Sequence, residues 1–158
     1  MSYITPSNSD GFMSFTANNF SRIKTNLMQF NKTDSIPDTT LFNDITEIGV
    51  IYEGKNSAVV LNSLDDIATK DALISELDIR DTYRTISIFN FSKPDLFSNT
   101  FSPFISFNKA SLYCVLDDFF VFSNSIEMLQ NIIANYQNKT TLSEKQYFQT
   151  LGILAFSQ

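Results

Sequence analysis

The sequence predicts an α+β fold, with a mixed, mostly antiparallel sheet and helices packed on one face of that sheet. Three times an apolar, strand-like run ends on Ser, Thr or Asn, and an amphipathic helix follows at once. The three strand–helix pairs are 12–16 with 20–30, 58–63 with 64–77, and 119–124 with 126–136. The second and third strands each follow another apolar run closely, which predicts hairpins. Hairpins beside helices favour an antiparallel or mixed sheet.

The first and last helices share one spacing of apolar residues. Their apolar positions step by three, four and three, which places the side chains on one face of a helix. These positions are Phe20, Ile23, Leu27 and Phe30 in the first helix and Ile126, Leu129, Ile133 and Tyr136 in the last. Both helices run into the tripeptide Asn-Lys-Thr, at 31–33 and at 138–140. A weak internal repeat and coincidence in a chain rich in Asn, Ser and Thr both account for this, and both interpretations stay open.

Polar residues at the helix starts match the preferences of N-caps. Asn18 or Asn19 precedes the first helix. Asn124 precedes the last helix and has Glu127 three residues later, which is the spacing of a capping box. The middle helix starts at Ser63, and Asp66 stands at its third position. We therefore expect the helices to begin at these residues.

The middle of the chain alternates hairpins and helix. Ile67, Ile74 and Leu77 form the apolar stripe of the middle helix. After this helix, residues 83–89 alternate polar and apolar side chains, as a half-buried strand does. The two predicted hairpins join 48–52 to 58–61 through a turn that contains Gly54, and 111–116 to 119–123 through Asp117 and Asp118.

Residues 90–108 differ from the rest, because phenylalanines recur there among Ser, Asn and Pro without a strand or helix period. We interpret this stretch as a long aromatic loop. Phe97, Phe101 and Phe104 are the candidate binding residues, because exposed rings could dock a partner chain or a hydrophobic ligand. The alternative is that the rings fold back as a lid over the sheet face that the helices leave open.

Composition limits the classes of function. A chain of 158 residues with 43% hydrophobic residues can bury one core, so 1–158 is predicted to be a single domain. Its net charge is −6 and its basic residues are scattered, which disfavours nucleic acid and anionic membrane surfaces as partners. No run is long and apolar enough to span a bilayer, and no signal peptide is visible. The end, 152–158, is typical of a strand cut short or just completed, which suggests a fragment of a longer chain.

Residues that could carry chemistry are few. The absence of histidine removes His-based triads, general bases and zinc ligand sets. The single cysteine, Cys114, lies in an apolar strand and is expected to be buried and inert. A hydrolase site would need Asp71, Asp78 or Asp81 to meet another carboxylate in a cleft, and a metal site would need such oxygen ligands to converge. Caps and turns explain these carboxylates more simply, so no catalytic residue, metal or cofactor is predicted.

One stretch carries a resemblance to a family. The run 113–129 resembles a pattern in uncharacterised bacterial envelope proteins, in which two strands flank a turn with Asp and lead through Ser or Asn into a helix with Glu and Leu. Residues 141–148 match the usual continuation of that pattern. Upstream, 4–8 and 18–20 look like the opening of flavobacterial members, although Thr5 departs from the pattern and the lipid-attachment cysteine is lacking.

The resemblance implies an exported, lipid-anchored envelope protein on the periplasmic or surface side, with this chain as its N-terminal part. Its motifs are those of capping and packing, so it implies no active-site residue. Our first hypothesis is a non-catalytic structural or interaction module, monomeric in isolation, whose partner is another protein or the rest of its own chain. The second is a binding module that takes a ligand or peptide with 90–108. The third is an acid-based or metal-dependent hydrolase.

Overall fold

A computed structural model gives the structure of the chain and describes residues 1–16, 18–32, 39–105 and 109–145. The strands are β1 (Gly11–Thr16), β2 (Ile45–Glu53), β3 (Asn56–Ser63), β4 (Ile79–Tyr83), β5 (Ile86–Asn90), β6 (Leu112–Leu116) and β7 (Phe119–Ser123). The helices are α1 (Phe20–Asn31), α2 (Asp66–Ala72), α3 (Leu96–Phe101) and α4 (Ile126–Asn138), and a short 3₁₀ turn covers Leu142–Glu144. The predicted terminal strand, 152–158, lies outside the described residues.

The seven strands form one sheet in the order β1–β2–β3–β7–β6–β5–β4, and every pairing among them is antiparallel. Each half of the sheet is a meander of neighbouring strands, and the pairing of β3 with β7 joins the two halves. A fold that combines helices with an antiparallel sheet is therefore confirmed.

The helices cover both faces of the sheet, which differs from the predicted arrangement on one face. Side chains of a strand alternate between the two faces, and here both faces are apolar. On one face Val59 and Phe122 pack with α1 and α3 in what we call the α1 core. On the other, Val60 and Val121 pack with Leu129 of α4 in what we call the α4 core. The prediction was wrong because central strands buried on both sides lose the polar alternation that would mark an open face.

The caps of α2 and α4 each lie close to the predicted positions. Asp65 caps α2, since its Oδ1 accepts from Ala68 N at 3.0 Å, and Ser125 caps α4 by accepting from Met128 N at 3.2 Å. The predicted caps, Ser63 and Asn124, were wrong. Ser63 instead accepts from the backbone N of Asp65 two residues later, as Ser123 does from Ser125. Asn19 caps α1 by accepting from Arg22 N.

The shared tripeptide ends two helices in the same way. Lys32 after α1 and Lys139 after α4 both adopt left-handed backbone, with φ of 52° and 57°. Their amides donate to carbonyls of the last helical turn. Such a left-handed residue closes a helix by satisfying its last carbonyls. The Asn-Lys pair therefore has a local structural role in both places, while Thr33 lies outside the described residues.

Two predicted segments are divided differently in the structure. Residues 83–89 are not one strand, because Arg84 and Thr85 form a tight turn between β4 and β5. The sequence lacks the Gly or Asn that normally marks such a turn. Residues 90–108 are not one loop, because 96–101 form α3. Phe107 lies outside the described residues.

Helix α4 should be sensitive to truncation of its buried face. Ile133 is fully buried in the α4 core, so Ile133→Ala is expected to lower the free energy of unfolding by roughly 2–5 kcal/mol. Ile74→Ala is the matched control, because Ile74 is 67% exposed and its truncation should change stability by less than about 0.5 kcal/mol. Denaturant unfolding of both variants measures the difference. Equal losses would contradict the assigned face of α4.

The β4–β5 turn should be strained. Thr85 has φ of 69°, a backbone conformation that a β-branched residue rarely adopts. Gly adopts it without steric cost, so Thr85→Gly is expected to stabilise the chain by about 0.5–1 kcal/mol. Thr82→Gly, in the exposed part of β4, should instead destabilise by about the same amount. Thermal unfolding of the two variants compares them, and a loss of stability in Thr85→Gly would show that the turn is unstrained.

Candidate functional site

An apolar groove runs between β1 and α1 at one edge of the sheet. Its volume is about 360 Å³, within the range of sites that take small ligands or side chains of a partner. We call it the α1–β1 groove. It is lined by Phe15, Thr16, Ile23, Asn26, Leu27, Phe30 and Phe104. Only Thr16 and Asn26 contribute polar side chains to this wall.

The groove follows from how α1 is anchored. Phe20 packs against Phe42 and Phe101 with ring centroids 5.0 and 6.0 Å apart. Leu27 lies on the same face of α1, about two turns further on, and is buried. These contacts hold one side of α1 in the α1 core. The side that carries Asn26 and Phe30 is left in solvent beside β1.

Exposed rings stand at the mouth of the groove. Phe30 is 71% exposed and Phe104 is 56% exposed. The ring of Phe104 lies 5.7 Å from that of Phe15, centroid to centroid, which places it over the end of β1. Two exposed phenylalanines beside one apolar groove are typical of a surface that another molecule covers.

The structure separates the three candidate binding residues. Phe97 and Phe101 are 1% and 0% exposed and belong to the α1 core. Their rings are therefore not available to a ligand, which differs from the expectation that all three contact one. Phe104 is exposed and lines the groove. The aromatic segment thus divides into two core rings and one surface ring.

The stretch of chain that forms β1 and α1 is positively charged. Residues 11–32 contain Arg22, Lys24 and Lys32 and no Asp or Glu, whereas the whole chain has a net charge of −6. Arg22 is exposed and lies one helical turn before Asn26 of the groove wall. Among the described residues, none of these three cations takes part in an ion pair. A carboxylate carried by a bound molecule would find favourable charge here.

A second apolar surface surrounds α2. The predicted stripe of Ile67, Ile74 and Leu77 faces solvent and not the core, which corrects the prediction. The helix is shorter than predicted and is anchored through Thr69, and through Leu73, which lies beside the predicted stripe. Beside it lies a groove of about 290 Å³ lined mainly by Leu73, Ile74, Leu77, Phe89, Tyr113 and Val115.

The predicted carboxylates do not meet. Asp71 is exposed on α2. Asp78 accepts from Asn90 Nδ2 at 2.7 Å, and Asp81 accepts from Gln130 Nε2 at 3.3 Å. Within the described ranges, no group of three His, Cys, Asp or Glu side chains could hold a metal ion. The hydrolase hypothesis required Asp71, Asp78 or Asp81 to meet another carboxylate in a cleft, whereas Asp78 and Asp81 contact amide side chains and Asp71 faces solvent.

One buried carboxylate has a structural role. Glu76 accepts from the backbone N of Ser92 at 2.9 Å and also from its hydroxyl. The carbonyl of Glu76 accepts from the Tyr113 hydroxyl at 2.7 Å. Burial, with a smaller effect of the Glu76 carboxylate, raises the pKa of Tyr113 to about 12. These hydrogen bonds connect the segment after α2 to Ser92, just after β5, and to Tyr113 of β6.

Sequence reasoning missed Phe30 and Asn26 as surface residues of the groove. The three-four-three spacing assigned Phe30 to the core face, because spacing alone does not show where the core ends along a helix. Asn26 could have indicated the exposure of Phe30. It lies between Ile23 and Phe30 on the surface of the helix, and a polar side chain there indicates that this part of the face is in solvent.

Comparison of the chain with protein-family models, with curated proteins and with solved structures finds no match. In the part of the chain that the structure describes, no helix combines the length and apolar character that crossing a bilayer requires. Functional inference therefore starts from the residues and the geometry of the chain.

The cysteine should be inert in the folded protein. Cys114 is buried in β6, as predicted, and burial raises its pKa to about 12. A thiol reagent at neutral pH should therefore label it only through unfolding, roughly a thousandfold more slowly than in denaturant. The control is Cys114→Ala combined with Thr82→Cys, which places a thiol on exposed β4 and should react at once. Rapid labelling of the native chain would contradict this burial.

Proposed function

We propose that this chain is a non-catalytic interaction module whose α1–β1 groove binds an apolar segment of a partner protein. The observation that carries the proposal is the pair of exposed rings, Phe30 and Phe104, at the mouth of an apolar groove. Truncation of aromatic anchors in such pockets commonly costs more than 1 kcal/mol of binding energy. Burial of two such rings by a partner would supply a large part of the affinity.

The proposal unites two of the hypotheses from sequence. The interaction module provides the general role, and Phe104 is the residue that the aromatic segment contributes to it. The resemblance to bacterial envelope proteins adds the proposed location, on the periplasmic or surface side of the cell envelope. There the partner would be another envelope protein or the remainder of the module's own chain.

The shape of the groove favours a protein segment over a compact small molecule. The groove is an open furrow beside a strand, and its wall is apolar except for Thr16 and Asn26. Small-molecule sites usually bury most of the ligand and place several polar groups around it. An open groove with two polar groups in its wall can accept alternate side chains of an extended segment of a partner protein.

The test is selection of peptides on the immobilised chain from a random peptide library. Selected peptides should bind the wild-type chain and lose roughly tenfold or more in affinity with Phe30→Ser combined with Phe104→Ser. Both residues are exposed, so this variant should fold normally. The matched control is Ile67→Ser combined with Ile74→Ser, which removes equally exposed apolar side chains from the α2 surface and should leave binding unchanged.

Two results would contradict the proposal. No peptide is enriched above the background of the empty support, or the enriched peptides bind the Phe30/Phe104 variant as well as they bind the wild-type chain. Loss of binding in the Ile67/Ile74 variant alone would assign the interaction to the α2 surface and also reject the groove.

A further inference from the structure

We propose that the partner segment binds as an additional antiparallel or parallel strand on the outer edge of β1, and that it is an extended, acidic-flanked peptide of another protein. Its alternate apolar side chains enter the α1–β1 groove. This inference rests on the proposed function and adds the binding mode and the chemistry of the partner. Strand addition to a sheet edge is a recurrent way of recognising peptides.

The two edges of the sheet are built differently. The β4 edge contains Arg80 and Asp81, has a register irregularity between Ile79 and Asp81, and ends in the strained turn at Thr85. Charges and bulges of this kind discourage pairing with another strand. The β1 edge, Gly11–Thr16, contains no charged residue and no proline, and it pairs with β2 over six residues in unbroken register. In the part of the chain that the structure describes, β1 pairs with β2 alone, so its outer side is open. The β4 edge is protected by its charges and irregular register, although its Ile79 is 58% exposed.

The groove lies where an added strand would place its side chains. Met13 and Phe15 point to the face of the α1 core, because they pair with Val50 and Ile48 of that core. Neighbouring strands keep side chains of paired residues on the same face, so every second residue of an added strand would stand beside Met13 or Phe15. That is the side on which α1, Phe30 and Phe104 form the groove. Backbone pairing and groove contacts can therefore be made by the same segment.

Charge decides which segment fits. Residues 11–16 are uncharged, and the cations that follow them are Arg22, Lys24 and Lys32. The carboxylates next to β1 already have partners, because Glu47 pairs with the N-terminal amine and accepts from Ser14, and Asp10 accepts from the backbone N of Gly54. Two copies of the chain paired through β1 would bring two sets of these cations together, which disfavours a symmetric dimer. A peptide with carboxylates outside its paired stretch complements the cations instead.

The probe is the eight-residue peptide Glu-Val-Thr-Leu-Thr-Val-Thr-Glu with both ends blocked, and its binding to the full chain is measured by calorimetry. The matched control, Glu-Val-Leu-Thr-Thr-Thr-Val-Glu, has the same composition without alternation and should bind roughly tenfold more weakly or not at all. Equal binding of the two peptides, or no binding of the first, would overturn the inference.

Methylation of the peptide amides tests backbone pairing without changing the protein. Amides of alternate residues in a strand point to the same side. One version is methylated at its three apolar residues and the other at its three threonines. One of the two should lose roughly tenfold or more in affinity and the other should retain binding. If both bind as well as the parent peptide while Phe30→Ser with Phe104→Ser abolishes binding, strand addition is wrong and the groove function stands.

Two protein variants complete the test. Arg22→Glu should weaken binding of the acidic probe severalfold, whereas Arg80→Glu on the protected edge should leave it unchanged. Equal effects of the two variants would overturn the charge argument. A chain that ends at Lys145 should bind the probe as the full chain does. A tenfold gain in its affinity would show that residues 146–158 compete for the edge, which would overturn the assignment to another protein.

Discussion

The pairing of β3 with β7 is the interaction on which the rest of the structure depends. It joins the two halves of the sheet, and residues 58–61 and 120–123 on either side of it are fully buried. Each strand supplies side chains to both faces, so Val59 and Phe122 belong to the α1 core while Val60 and Val121 belong to the α4 core. A change in the register of this pair by one residue would exchange the contents of the two cores. The helices on both faces therefore depend on one register.

The same dependence explains why two similar sequence signals place helices on opposite faces. Both β3 and β7 end in a Ser that accepts from the amide of the following N-cap residue. Along β3, Ser63 shares the face of Leu61 and the α1 core, whereas Ser123 shares the face of Val121 and the α4 core. The local motif is the same in both strands, but the two serines lie on opposite faces of the sheet. Because alternate residues of a strand face opposite sides, the position of the final Ser along the strand determines which face the following helix covers.

This explains how much could be predicted from sequence. Helix caps, hairpins and the buried face of α4 depend on residues close in the chain, so spacing predicted them to within a residue or two. The face covered by α2, the burial of Phe97 and the exposure of Phe30 depend on contacts between distant segments. No local pattern contains that information, because phenylalanine spacing is the same whether a ring meets a core or solvent. The turn at Arg84 was missed for a related reason. Gln137 and Asn138 at the end of α4 hydrogen-bond to Arg84, at 3.0 and 2.9 Å, and hold a turn that its own residues do not favour.

The site could be predicted only in part. Phe104 was a candidate because phenylalanines recur among Ser, Asn and Pro in 90–108, and it lines the groove. The open edge of β1 could not be recognised before the strand order was known, because the strand that pairs with β1 lies about 30 residues further along the chain. The strand order places β1 at the edge of the sheet. Only then does the absence of charge in Gly11–Thr16 indicate an edge that can pair with another strand.

The contrast between the two edges also bears on stability. The β4 edge includes a left-handed threonine, and such strained residues commonly cost 1–3 kcal/mol each. At the β1 edge, the exposed rings of Phe30 and Phe104 each forgo a large part of the roughly 1.5–3 kcal/mol that full burial of such a ring supplies. Burial by a partner would recover this free energy at the β1 edge. The open edge and the exposed rings occur together at β1, the edge strand that has no charge and no proline. This coincidence is the physical basis for placing the proposed interaction on that side of the molecule.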